Sequence, residues 1–365
     1  MAVKRRLVLR IAGAAVVLAV LVPGYLWLHG DFRRWDDEAK LDAACDGLLD
    51  RAAIREVLGD GDVGVREWDG PAHQVRCEVV VEGGGRVEVR VADETVIGSS
   101  VSDLYVYRGT GRATPSVPVG GGWSGLFGAR PRGVDGEDFD DVTTALTLRC
   151  TAGDAKSLMV AVETDPAEAG PLDDPANRPA YARIAETTAR KASDVRGCDA
   201  EPGRKVRSLR LPVSQDEYKP LAEADGTCAG IEPVSGVRSA LETARDGAPY
   251  EVCLLNGPDG SRRYELAAAF GPYALLEFEE NRTYGAQDRP VGDVPARNRK
   301  RADQSGWTTA KCPDGTAVFT LLAVGRHEDK GSAFVSGDLA QERAVLKVFA
   351  ERSAGAHGCQ APATP

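Results

Sequence analysis

Two periodicities run along this chain, and each recurs. In GRVEVRV, residues 85–91, Val87, Val89 and Val91 alternate with polar residues, the two-residue period of a half-buried strand. SRRYELAAAF, residues 261–270, predicts its counterpart in the second half of the chain. TLRCTAGDAKSLMVAV (147–162) and TAKCPDGTAVFTLLAV (309–324) each carry a cysteine at the fourth position, then a short turn, then an apolar run. Each predicts a hairpin whose first strand ends at Cys150 or Cys312 and whose second runs through Val160 or Phe319. Helical spacing appears twice in each half. Asp50 can cap RAAIREVL, with Ile54, Val57 and Leu58 on one face and Gly59 as the stop; Ser235 precedes Val237, Ala240, Leu241 and Ala244 at the same spacing, which predicts a second such helix. Tyr181, Ile184, Ala185, Thr188, Ala192 and Val195 share the face of a closing helix. Val345, Leu346, Phe349 and Arg352 lie at nearly the same positions counted back from the final Gly and Cys.

Four markers occur twice in the same order: CDGL and CAGI at Cys45 and Cys228, CEVV and CLLN at Cys77 and Cys253, PVG at Pro118 and Pro290, and GC ending at Cys198 and Cys359. Ordered recurrence predicts a duplication. The expected fold class is α+β: an N-terminal transmembrane helix followed by two tandem, disulfide-stapled modules, each packing helices on one face of an antiparallel sheet. Module 1 is expected over 45–212 and module 2 over 220–365, with KVRSLRLPV (205–213) as a last strand before the boundary. Module 1 is the longer because of residues 120–141, whose glycines and acidic end predict an exposed loop.

The N-terminus supplies the membrane expectation. Residues 1–10 are basic, with Lys4, Arg5, Arg6 and Arg10, and residues 11–28 carry no charge. At ~1.5 Å per residue that segment spans about 27 Å, close to a ~30 Å hydrocarbon core. The basic flank predicts a cytoplasmic N-terminus, Tyr25 and Trp27 an outer aromatic belt, and 29–44 a polar juxtamembrane spacer. Bulky residues 25–28 stand where a cleavage site would need small ones, so an uncleaved signal-anchor is expected; LDAAC (41–45) is set aside as a lipidation site because Asp42 replaces an aliphatic residue. The modules would then be extracytoplasmic.

The cysteines agree with that compartment. Cys45, Cys77, Cys150, Cys198, Cys228, Cys253, Cys312 and Cys359 form no CxxC pair, and an even count in an exported region reads as four disulfides. The third-to-fourth intervals, 48 and 47 residues, barely differ, whereas the middle intervals are 73 and 59. This favours pairing first with second and third with fourth within each module.

Charge and motifs narrow the chemistry. A net charge of −10 argues against nucleic acid as a partner, and the basic stretches 204–210 and 297–301 read as solvated loops. GDGDVG (59–64) and GGGWSG (120–125) match GxGxxG formally, but neither lies between a strand and a helix, as a dinucleotide site requires. The histidines, at 29, 73, 327 and 357, form no metal or nucleophile motif, and no HExxH or GxSxG occurs. DGEDFDD (135–141) lacks the spacing of an EF-hand, and NRT at Asn281 is a formal glycosylation acceptor only. No catalytic residue, metal ligand or cofactor is assigned. Trp123, in the Gly-rich stretch peculiar to module 1, is either a core plug or an exposed aromatic, and is the one binding candidate.

A charged N-terminus and apolar segment, CxGL beside a short helix, a cysteine leading a strand, and a closing helix ending near a cysteine resemble anchored exported proteins of high-GC Gram-positive (actinobacterial) bacteria. More loosely, the pattern is similar to the two-disulfide extracellular sensor domain of mycobacterial serine/threonine kinases. The resemblance implies a membrane-anchored envelope protein with a binding or sensor-like role and carries over no catalytic residue. The expected partners are the lipid bilayer, through residues 11–28, and an envelope protein or a small ligand. The alternatives are a structural or accessory subunit of an envelope complex and, third, an envelope hydrolase.

Overall fold

The computed structural model describes residues 31–68, 74–93, 116–132, 138–153, 155–167, 172, 174–211, 218–245, 247–275, 277, 305–313, 315–323 and 339–363. They build two antiparallel sheets. Sheet 1 comprises β1 (Val63–Trp68), β2 (Gln74–Val81), β3 (Gly85–Asp93), β4 (Val117–Gly120), β5 (Trp123–Arg132), β6 (Asp138–Arg149) and β7 (Ser157–Pro166), in the order β1-β2-β3-β7-β6-β5-β4. Sheet 2 comprises β8 (Lys219–Pro220), β9 (Ser239–Glu242), β10 (Tyr250–Asn256), β11 (Arg262–Ala269), β12 (Ser305–Cys312) and β13 (Gly315–Ala323), in the order β12-β13-β11-β10-β9-β8. The helices are α1 (Asp31–Ala43), α2 (Arg51–Leu58), α3 (Arg178–Val195) and α4 (Leu339–Ala356).

The five-strand run β1-β2-β3-β7-β6 and the run β9-β10-β11-β13-β12 have the same connectivity. Each is stapled twice: Cys45–Cys77 and Cys150–Cys198 in the first, Cys228–Cys253 and Cys312–Cys359 in the second. A further correspondence has no cysteine in it. Glu67 lies opposite Cys77 in the β1–β2 register, and its carboxylate accepts the backbone N–H of Cys45 at 2.9 Å. Glu242 lies opposite Cys253 and accepts the N–H of Cys228 at the same distance. In each copy one glutamate holds the first cysteine of a staple across from the second.

The α+β expectation led by a transmembrane helix is corrected. The described chain is sheet-rich with few helices, and among the described residues no helix is long and apolar enough to cross a membrane. Residues 1–30, including the expected span 11–28, lie outside the described residues. Residues 31–43, read as a spacer, form α1, with Leu41 buried in the core and Arg34–Glu38 and Asp36–Lys40 pairs along its exposed side.

Two local differences shift the balance toward strand, and a third removes an expected one. The stretch read as a helix from Ser235 contains β9 instead. Gly236 interrupts it in the left-handed region at φ +75°, Ala244 is exposed, and Ala240 and Leu241 are buried on opposite faces of a strand. Residues 120–141, read as a loop, contain β5 and part of β6; Gly120, Gly121 and Gly122, all at positive φ, make a tight turn rather than a long excursion. Residues 201–211 are irregular. Side chains take up several of their backbone groups: Arg178 donates to the carbonyls of Leu209 and Leu211, and Glu186 accepts the N–H of Val206, while the Arg204 N–H donates to the Gly121 carbonyl. Burial pushes the Glu186 carboxyl above its usual range, outweighing that hydrogen bond.

The hairpins β6–β7 and β12–β13 end near Cys150 and Cys312. Asp50 caps α2 by accepting the Ala53 N–H at 2.9 Å, and Gly59 follows at φ +78°. The layers run helix, sheet, sheet, helix. Helix α3 packs on β6 and β7 and α4 on β11, β12 and β13. The opposite sheet faces meet in a shared cluster, where Leu126, Met159 and Ala161 of sheet 1 join Tyr250, Val252 and Trp307 of sheet 2.

Candidate functional site

Side chains alternate across a strand, so aligning the two copies on Cys77 and Cys253 compares their faces position by position. On the side away from the helices, Arg66 corresponds to Leu241, Arg76 to Val252, Glu78 to Leu254 and Arg90 to Ala267. The module 2 residues are buried in the inter-sheet cluster. The module 1 residues form a lattice of ions. Arg66 and Arg86 reach Glu78 at 3.3 and 3.6 Å, Arg76 and Arg90 both reach Glu88 at 2.7 Å, and Arg86 reaches Asp165 at 3.2 Å. Trp68, at the end of β1, receives the Arg76 guanidinium at 4.7 Å from its ring centroid and that of Arg66 at 5.9 Å.

This lattice is layered. The Glu78 and Glu88 side chains are only 9% and 14% exposed, whereas those of Arg66, Arg76 and Arg86 are 68%, 40% and 47% exposed. Carboxylates and Arg90 form a floor, and the guanidinium groups of Arg66, Arg76 and Arg86 form the outer surface. Burial pushes the Glu88 carboxyl up, but hydrogen bonds from Arg90 and Arg76 outweigh it and hold the group below its usual range. Arg86 is held above its usual value, burial being outweighed by Asp165 and Glu78. An ordered layer of cations is suited to binding carboxylates or phosphates with little loss of side-chain entropy.

Module 2 holds a buried concentration of ionisable groups between β10 and the end of α4. Glu251 is fully buried; one oxygen meets His357 Nε2 at 3.0 Å and the other accepts the Ser353 hydroxyl at 2.5 Å and lies 3.4 Å from Arg245. Arg245 also donates to the Ser353 hydroxyl at 2.9 Å and to the carbonyls of Gly226 and Thr227. Burial lowers the Arg245 guanidinium from its usual value, a cost that nearby Glu251 partly offsets. The His357 ring stacks on Phe270 with centroids 3.6 Å apart. Serine, histidine and a carboxylate are present, but their order differs from that of a hydrolytic triad, in which histidine stands between nucleophile and acid. Here the acid stands between them, so His357 cannot take the Ser353 proton. The cluster ties the Cys228 segment, β10 and the end of α4 together. Its counterparts in module 1, Val75, Ala192 and Arg196, make no such cluster.

Trp123 is buried in the module 1 core. Its indole N–H donates to the Arg204 carbonyl at 2.9 Å, the Arg190 guanidinium lies 5.1 Å from its ring, and a side chain at Gly203 would overlap it. The eight cysteines are all paired. Gly59 and Gly61 of GDGDVG connect a helix to a strand, and GGGWSG joins β4 to β5, so neither presents a helix N-terminus to a phosphate. Among the described residues no group of three His, Cys, Asp or Glu side chains could hold a metal. His29, His73, His327 and Asn281 lie outside the described residues, as does part of 135–141.

The residues that sequence reading missed are those of the lattice. Their signal was present in GRVEVRV, where Arg86, Glu88 and Arg90 alternate with valines, but it registered only as the solvent side of a strand. No family model, curated protein or solved structure matches the chain.

Proposed function

We propose that this chain is a non-catalytic, extracytoplasmic binding or sensor-like protein whose contact surface is the β1–β3 face of module 1. Four disulfides fit an oxidising environment. One observation carries the reading: where module 2 buries Leu241, Val252, Leu254 and Ala267 between the sheets, module 1 places Arg66, Arg76, Glu78 and Arg90 and tops the face with guanidinium groups. Scattered surface arginines would have no common floor of buried carboxylates; these do. The acid-centred wiring of Glu251, Ser353 and His357 supports a non-catalytic role.

The test is capture from an envelope extract of the source cells on immobilised full-length chain, with Arg66→Glu/Arg86→Glu as the comparison. The component retained by the wild type is expected to be lost from the double variant, with circular dichroism and disulfide content unchanged. Equal retention by both proteins refutes this surface as the binding site.

A further inference from the structure

The lattice runs to β1, whose outer edge no strand among the described residues pairs, and the geometry points to an extended peptide of a partner protein, alternating acidic and apolar residues, that adds as a strand alongside β1. This rests on the binding reading above and specifies its partner. In sheet 2 the β12 edge is backed by the C-terminal tail, where the Gln360 N–H donates to the Lys311 carbonyl and the Ala363 N–H to the Thr309 carbonyl. The β9 edge is backed by β8, with Lys219 opposite Ala240 and Pro220 opposite Ser239. In sheet 1 the counterpart of β12 is β6, which β5 covers.

The counterpart of β9 is β1. Among the described residues no strand pairs with its outer edge, and Gly64, Val65, Arg66 and Glu67 are exposed. Its pairing with β2 runs without a bulge from Val63↔Val81 to Trp68↔Arg76, and it contains no proline. Six residues of regular strand present roughly 20 Å of edge. Natural sheets blunt such edges or use them for strand addition, in which main-chain hydrogen bonds supply affinity and alternate side chains supply specificity.

The two faces beside this edge differ, and that determines the peptide's pattern. On the helix side lies Val65, with Trp35 on α1, the helix that packs beside β1; both are exposed. On the other side the exposed groups are the guanidinium groups of Arg66, Arg76 and Arg86, with Val80 among them. An added strand would turn alternate side chains to each face. Apolar residues match the first and carboxylates the second. The Glu67 side chain lies on the Val65 face, opposite to Arg66, where its carboxylate accepts the Cys45 N–H. A phosphate polymer would use the guanidinium layer but neither the main-chain edge nor the apolar side.

The probe is a short capped peptide of alternating glutamate and valine, added to the full chain. Binding is read by titration and its place by amide hydrogen exchange. Slowed exchange in residues 63–68 is expected, with affinity falling about tenfold when the peptide backbone is N-methylated on its pairing side. Arg66→Glu should weaken binding several-fold, and the lysine–valine peptide should not bind. Unchanged exchange in β1, equal binding of the N-methylated peptide, or equal binding of the lysine–valine peptide each overturns strand addition. So does a result in which only inorganic polyphosphate binds. If Arg66→Glu/Arg86→Glu abolishes envelope capture while the glutamate–valine peptide leaves β1 unprotected, strand addition alone falls; if neither experiment depends on these arginines, the binding reading falls with it.

Discussion

The two modules carry the same five strands and the same two staples, yet they differ on one face and in one interior. The outward face of β9–β11 buries Leu241, Val252, Leu254 and Ala267 against sheet 1 and keeps one acid, Glu265, paired with Arg262; that of β1–β3 is ionic. Between sheet and helix, module 1 is apolar at Val75 and Ala192, where module 2 places Glu251 and Ser353. Architecture and surface chemistry have therefore been set independently. Backbone connectivity and cysteine placement survive exchange of Arg76 for Val252, because a strand needs only alternation and the facing layer decides what the outer residue must be.

Exchanging residues between equivalent positions is the sharpest way to test that contrast. Val252→Arg puts into module 2 the residue that module 1 carries. It leaves a charge without a partner between two sheets, and chemical denaturation should show a loss of about 4 kcal/mol or failure to fold. The reciprocal Arg76→Val removes one cation from a partly exposed lattice and should change stability by within about 1 kcal/mol. Equal costs would mean that the inter-sheet layer is not what distinguishes the two faces.

Next in size is the interior difference. Glu251→Ala strands Arg245 and Ser353 in a buried site, and a loss of about 3 kcal/mol is expected, the scale of breaking a buried ion pair on one side. A loss below about 1 kcal/mol would show that the cluster is solvated and not a tie between β10 and α4.

The smallest effect concerns pH. The Glu88 carboxyl is held below its usual range by Arg90 and Arg76, so its contribution is fully present above the ordinary glutamate value and is lost as pH falls through the depressed one. Urea unfolding between neutral and acidic pH should show the wild type losing about 1 kcal/mol more than Glu88→Gln across that window. Parallel curves would remove Glu88 from the lattice's stabilising groups.

Much of this architecture is legible in residue patterns. Val87, Val89 and Val91 announce β3, Asp50 and Gly59 bracket α2, and the 48- and 47-residue intervals anticipate the pairing of the last two cysteines in each module. Ala240 and Leu241 mislead because two adjacent apolar residues satisfy a helical face as well as a strand buried on both sides, and only the facing sheet decides between them. Glycines 120–122 mislead in another way: three in a row read as a flexible loop but supply the left-handed conformations of one turn. The lattice was the least legible. Nothing local separates Arg76 and Glu88 from an ordinary solvated face until their counterparts are seen to be Val252 and Glu265, one of them buried against another sheet.

The glutamate that holds each first cysteine opposite its partner also bears on how the chain matures. Cys45 is held opposite Cys77 by a hydrogen bond from its N–H to Glu67 on a neighbouring strand, and both staples of the first module join cysteines at or before residue 198. Oxidation of that module therefore requires only chain that has already emerged, whichever end of synthesis or export is still under way. Its four thiols can therefore pair among themselves before the four cysteines of the second half arrive, which lets a chain with many possible wrong pairings meet its cysteines four at a time.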